Sequence, residues 1–147
     1  MRDTKKYFSA NRFKKLLEIY TGIDKISYLV VYFDMKRRIT QSQKFIKEIG
    51  DLIEEGKLFK EDFETFKREI AENPNYFPVI PGTGGIRKAR LKSSSKGKRG
   101  GFRVCYLDDE KKEEIFFLFI YAKNDQEDLT ADEKKTLKKY AEAIKKA

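Results

Sequence analysis

The apolar positions of this chain change period three times. From Gln43 to Gly56, Phe45, Ile46, Ile49, Leu52 and Ile53 recur at helical spacing, and Gly56 suits a helix end. Leu58, Phe59, Phe63, Phe66 and Ile70 then form a second helical stripe, which stops at the turn signal Asn73-Pro74. Such a pair of amphipathic helices, closely connected, is expected to form an antiparallel hairpin lying on something apolar. Beyond it the period shortens to two. Ile86–Lys92 reads as a strand with Ile86, Lys88, Arg90 and Lys92 on one face and Arg87, Ala89 and Leu91 on the other. A polar connection over 93–101 leads to a returning strand, Phe102–Leu107, so this is a hairpin with a long basic tip. After a turn at 108–112, Ile115–Tyr121 is apolar on both faces and is expected to be the central strand, covered on both sides. Thr130 and Glu133 form a capping box for a last helix with Leu137, Tyr140, Ala141 and Ile144 on one face. Arg38–Ser42 is a further short strand candidate. The predicted fold is α+β: an N-terminal helical hairpin on a twisted antiparallel sheet of three to four strands, plus a C-terminal helix.

Residues 1–34 are read as an N-terminal extension ahead of a domain spanning 35–147. Phe13, Leu16, Leu17 and Tyr20 fit one face of a short helix, and Ile26–Phe33 is strand-like. Either these are a real extra helix and strand, or Met35 is the natural start.

The chain has 147 residues, enough for one domain, and no apolar run long enough to span a bilayer. No signal-peptide core opens it and its single cysteine cannot form an internal disulfide, so a soluble cytoplasmic protein without a membrane partner is expected. The net charge is +9, and most of it is local. Between Glu72 and Asp108 there is no acidic residue, yet Arg87, Lys88, Arg90, Lys92, Lys96, Lys98, Arg99 and Arg103 lie there. The other 25 basic residues face 24 acidic ones. Charge this concentrated, broken by glycines and flanked by strands, marks a surface that meets phosphates. The Gly82-Thr83-Gly84-Gly85 run is not a nucleotide-binding loop: no GK[ST] follows, and the next element is a strand. Its glycines suit a tight turn or a close backbone approach.

Histidine is absent, which removes the usual general base and the usual zinc ligand; no cofactor or metal is expected. RNA cleavage remains open to Lys and Arg, because RNA carries its own nucleophile in the 2′-hydroxyl. Lys88, crowded by Arg87, Arg90 and Arg103, is the candidate for proton transfer, since like charges lower a lysine's pKa. Arg90 and Arg103 would clamp the charged transition state. Tyr106 and Tyr121 could stack on a base or donate a proton, or could equally be sheet core.

The combined runs GTGGIRKAR, KGKRGGFRV and YAKNDQEDLTADEKK closely resemble the RelE/HigB superfamily of type II toxin–antitoxin toxins, and its HigB-type branch most. The resemblance runs from about Arg38 to the C-terminus. It implies metal-independent cleavage of messenger RNA in the ribosomal A site, inhibition of translation, and a cognate antitoxin partner. Carried over by position, it places catalytic roles on Lys88, Arg90, Arg103 and Lys123. Arg87, Lys92, Lys96, Lys98, Arg99, Tyr106 and Tyr121 become RNA contacts. The arginine that follows the lysine in the RelE pattern is Asn124 here, and the family's C-terminal tyrosine falls on or near Thr130. The other readings are a non-cleaving RNA- or ribosome-binding module, a ParE-like DNA gyrase inhibitor, and a sequence-specific DNA-binding protein, the last without a recognition-helix signal.

Overall fold

Ser42 ends one element and begins the next. The computed structural model describes residues 37–94 and 101–147. In it β1 is Arg38–Gln41, one residue shorter than the RITQS pattern suggested. The Ser42 hydroxyl instead accepts the Phe45 N–H at 3.1 Å and caps α1, Gln43–Glu54. Gly56, at φ +71°, closes α1 in the left-handed region and returns its N–H to the Ile53 carbonyl. α2 spans Lys60–Glu72 and stops at Asn73, ahead of Pro74. Leu58 precedes this helix, yet its side chain is buried in the same core.

The sheet is built from β1, β2 (Arg87–Leu91), β3 (Phe102–Asp109) and β4 (Glu114–Ala122), in the order β1-β4-β3-β2. α3, Ala131–Lys146, completes the fold, with the expected Thr130–Glu133 capping box in place. The strands β2, β3 and β4 form an antiparallel meander. β1, however, runs parallel to β4, so the sheet is mixed rather than antiparallel. Arg38 holds this register by gripping Glu114 with both Nε (3.1 Å) and Nη2 (2.8 Å), and Thr40 donates to the same carboxylate. β4 has a partner on each side, as its apolar run suggested. The expected N-terminal extension, residues 1–34 with its short helix and strand, lies outside the described residues.

Two apolar layers sandwich the sheet. Under α1 and α2 lie Phe45, Ile49, Phe63, Phe66 and Ile70, with Ala89, Leu91, Val104, Tyr106, Ile115, Phe117 and Ile120 from the strands. Phe117 is their centre: its ring lies 5.4 Å from Phe45, 5.6 Å from Phe66 and 6.3 Å from both Phe63 and Tyr106. On the other face, Leu129, Leu137 and Ala141 cover Ile86, Cys105, Leu107, Leu118 and Tyr121.

The register explains how β4 serves both layers. Cys105 pairs with Phe119 but Tyr106 pairs with Phe117, so Leu118 is an extra residue, a β-bulge. The bulge reverses the alternation. Ile115 and Phe117 face α1 and α2 before it; Ile120 faces them after it, and Tyr121 is turned to the α3 side.

The GTGG run is a tight turn. Thr83 is fully buried and donates its hydroxyl to the Ile80 carbonyl at 2.6 Å, while Ile80 N–H bonds the Ile86 carbonyl across the turn. Gly84, at φ +74°, lies against α3: a Cβ there would sit 3.6 Å from that of Ala141. The close backbone approach is therefore to a helix.

Candidate nucleic-acid interface

The α3 side of the sheet carries the basic residues. Alternation along β2 puts Lys88 and Arg90 on this side, because Ala89 and Leu91 are drawn into the opposite core. Cross-strand pairing then sets two rows. Arg90 lies opposite Arg103, and Arg103 opposite Tyr121. Lys88 lies opposite Cys105, and Cys105 opposite Phe119. Arg90 is exposed; Arg103 is half-buried and places Nη1 3.4 Å from the Phe102 carbonyl. Two guanidinium groups on adjacent strands offer forked donors to a single anion.

The open end of the hairpin extends this row. Lys92, Arg90, Ser93, Ser94 and Gly101 line a groove of about 350 Å³. The exposed Lys123 follows β4 at the same end, its N–H bonding the Gly101 carbonyl at 3.3 Å. Gly101 is required there: at φ +52° a Cβ would meet the Leu91 carbonyl oxygen at 2.6 Å. The groove's other wall is tied to α2, where Asp62 accepts from Ser94 N (2.7 Å) and Ser94 Oγ (2.8 Å). Lys96, Lys98 and Arg99 lie outside the described residues.

Two expected RNA contacts are placed elsewhere. Arg87 projects to the α1–α2 side, where its Nη1 donates to the carbonyls of Phe77 (2.6 Å) and Asn75 (3.2 Å). Tyr106 is wholly buried, and its hydroxyl donates to the Pro74 carbonyl at 2.7 Å. Both fasten the segment after α2 to the sheet, and neither can stack on a base or reach a phosphate from the Arg90–Arg103 face.

Tyr121 is on that face, 6% exposed, and its hydroxyl has no hydrogen-bond partner among the described residues. Burial pushes its pKa up to about 12, with the nearby Asp128 acting in the same sense and Arg103 against it. The phenol stays protonated at neutral pH and can donate. Cys105 is also pushed up to about 12, by burial, so it is an inert thiol beneath Lys88.

Lys88 has a partner that sequence reasoning missed. Its Nζ lies 3.5 Å from Asp128, in the loop between β4 and α3, and Lys134 approaches the same carboxylate at 3.8 Å. The expected crowding of Lys88 by cations is thus relieved: Arg87 is on the other face and a carboxylate stands beside it. Asp128 accepts its neighbour Leu129 N–H at 2.8 Å, which, with Lys88 and Lys134, holds its pKa below the usual carboxylate range. The acidic run DQED read only as a connection; its one signal was its position directly before the helix cap.

A larger cavity of about 430 Å³ lies on the β1 side of α3, between Ser42, Leu118, Phe119 and Tyr140, with Asp132 and Glu133 on its rim. Its carboxylates make it unsuited to phosphate. Among the described residues no cluster of three or more carboxylates or thiols could hold a metal ion, and no helix is long and apolar enough to cross a membrane.

A family model for the RelE toxin of the RelE/RelB toxin–antitoxin system matches residues 82–147, from the GTGG turn through α3. The match covers less than half of the chain and makes this stretch similar to RelE toxins, without assigning a branch. A solved structure of E. coli toxin RelE, a double arginine-to-alanine variant in the free state, is similar at 18% identity and a TM-score of 0.46, covering 62% of this chain and 87% of that one.

Proposed function

We propose that this protein is the toxin of a type II toxin–antitoxin system, of the HigB-type branch, and that it cleaves messenger RNA on the ribosome. The observation that carries the reading is the Arg90–Arg103 pair on adjacent strands, with Lys88 and Tyr121 beside it on the same face. In the proposed reaction the 2′-hydroxyl loses its proton to solvent water as its oxygen bonds to the adjacent phosphorus, and the P–O5′ bond breaks as the 5′-oxygen gains a proton. Arg90 and Arg103 hold the extra negative charge of the transition state, where fixed donors in a partly dry site act strongly. Lys123 and Lys92 flank them and grip neighbouring phosphates. Lys88, beside Asp128, gives the proton to the departing oxygen rather than taking the first one. Tyr121 lies beneath them with its hydroxyl closed to solvent, and donates only once bound RNA opens the site around it. The cognate antitoxin is the expected partner, as the family match implies for toxins of this kind.

The test is a reconstituted translation system with mapping of messenger 5′ ends, with and without ribosomes. Cuts that need ribosomes and disappear in Arg90→Ala and Arg103→Ala are the expected result. Cuts on ribosome-free RNA by the wild type would make it a free ribonuclease. Arrest without cuts would make it a binding module, and loss of DNA supercoiling without arrest would point to gyrase.

A further inference from the structure

Among the described residues, Lys88 on this face stands beside a carboxylate, its Nζ 3.5 Å from Asp128. The carboxylate is 57% exposed, yet its loop holds it in place. Asp128 Oδ1 accepts the Leu129 N–H at 2.8 Å, and its own carbonyl accepts from Gln126 Nε2 at 3.0 Å. Gln126 also reaches Glu133 of the capping box at 3.1 Å, and Leu129 is buried under α3. The loop therefore presents one fixed negative charge to a face otherwise built of cations.

We infer that Asp128 is a built-in counter-charge that sets the RNA selectivity of this face. It occupies Lys88 and repels phosphate, so single-stranded RNA that is free in solution is held weakly. RNA held in place by another body, its phosphate already presented to Arg90 and Arg103, loses less, because its binding does not rest on Lys88 alone. This inference rests on the RNA-cleaving reading above and adds to it a residue that determines which RNA is bound. A carboxylate that merely balanced net charge would act equally from anywhere on the surface. One at 3.5 Å from Lys88 acts locally, within a Debye length of the bound phosphate.

The experiment measures binding of a single-stranded RNA oligonucleotide by fluorescence anisotropy as a function of salt. Asp128→Asn is compared with Glu110→Gln, which makes the same charge change in the exposed β3–β4 turn at the far end of the sheet. The expected result is RNA binding about threefold to tenfold tighter for Asp128→Asn at low salt, with a log–log salt slope steeper by about 0.7, one more phosphate contact on a single strand. Glu110→Gln should stay within about twofold of the wild type. Equal tightening by both variants would reduce Asp128 to bulk charge and overturn the inference; so would unchanged or weaker binding by Asp128→Asn. Asp128→Ser, whose hydroxyl can still accept the Leu129 N–H, guards against a loop that unravels and should behave like Asp128→Asn. Arg90→Ala and Arg103→Ala run alongside. If they bind RNA as the wild type does, the RNA reading of the face fails, whatever Asp128 does.

Discussion

The two faces of the sheet are built from the same strands but obey different rules. The α1–α2 face is aromatic, and the polar groups of Tyr106 and Arg87 that reach it are used: Tyr106 donates to Pro74, and Arg87 to Phe77 and Asn75. The α3 face is half-covered. It holds a thiol, a phenol with no hydrogen-bond partner among the described residues, two arginines on one rung and a lysine sharing a carboxylate. One face tolerates no change of volume and carries the stability. The other gathers cations and a buried donor on one surface, at a cost to the fold. Buried polar groups left unsatisfied cost stability, and they persist where function needs them.

The largest separation between the faces should come from their centres. Phe117 is fully buried against four other rings. Phe117→Ala is expected to lower stability by about 3–5 kcal/mol, read by chemical denaturation, and to abolish all activities together with the fold. Arg103→Ala, on the other face, should cost about 10²–10³-fold in the rate of RNA cleavage while shifting the denaturation midpoint little. If Arg103→Ala unfolds the protein as Phe117→Ala does, the division of labour between the faces is wrong.

A smaller effect tests the parallel edge. Burial alone would raise the pKa of Glu114, but the hydrogen bonds from Arg38 and Thr40 outweigh it and hold the carboxyl below its ordinary value. A carboxyl with a lowered folded-state pKa adds stability above its unfolded pKa and loses it as pH falls through the folded value. Stability should therefore decline as pH drops below the ordinary carboxylate range. Glu114→Gln should flatten part of that decline at a cost of about 1–2 kcal/mol at neutral pH, with the discount due because Arg38 is largely exposed. Denaturation midpoints of the two proteins across pH 2–7 check this; parallel curves would remove Glu114 as a source of the acid sensitivity.

Much of this was legible in the residues, and the failures have physical causes. Helical spacing located both helices on the aromatic face, and period-two alternation placed Lys88 and Arg90 together. The same alternation, applied to β3, already separates Arg103 from Tyr106, which stand three residues apart and so face opposite ways. Type had been allowed to outweigh parity. The position of Tyr121 could not be read, because the bulge at Leu118 reverses parity within an unbroken apolar run that gives no sign of it. Nor could the parallel pairing of β1, which depends on Arg38 meeting Glu114 across 76 positions of sequence. Ser42 looked like a strand end and is a helix cap; the two are neighbours in any strand-to-helix junction. Asp128 was hidden by its company, one of three acids in a four-residue run, 125–128, that otherwise reads as a solvated connection.

The smallest effect separates the faces most finely, because it uses the same atom on each. Tyr106→Phe removes a hydroxyl that donates to Pro74 at 2.7 Å and leaves that carbonyl short of a donor. It should destabilise by about 0.5–1.5 kcal/mol and leave RNA cleavage unchanged once folded. Tyr121→Phe removes a buried hydroxyl that has no partner among the described residues. Nothing is stranded, and a desolvated group is lost, so stability should hold or rise by up to about 1 kcal/mol. Cleavage, if the phenol donates to RNA, should fall. Opposite signs in stability and activity for one oxygen atom are what a functional face predicts, since a group kept at a cost to the fold must serve something outside it. Two variants that both lose stability, with cleavage untouched, would make Tyr121 ordinary core and leave the arginine pair and the lysines to carry the chemistry alone.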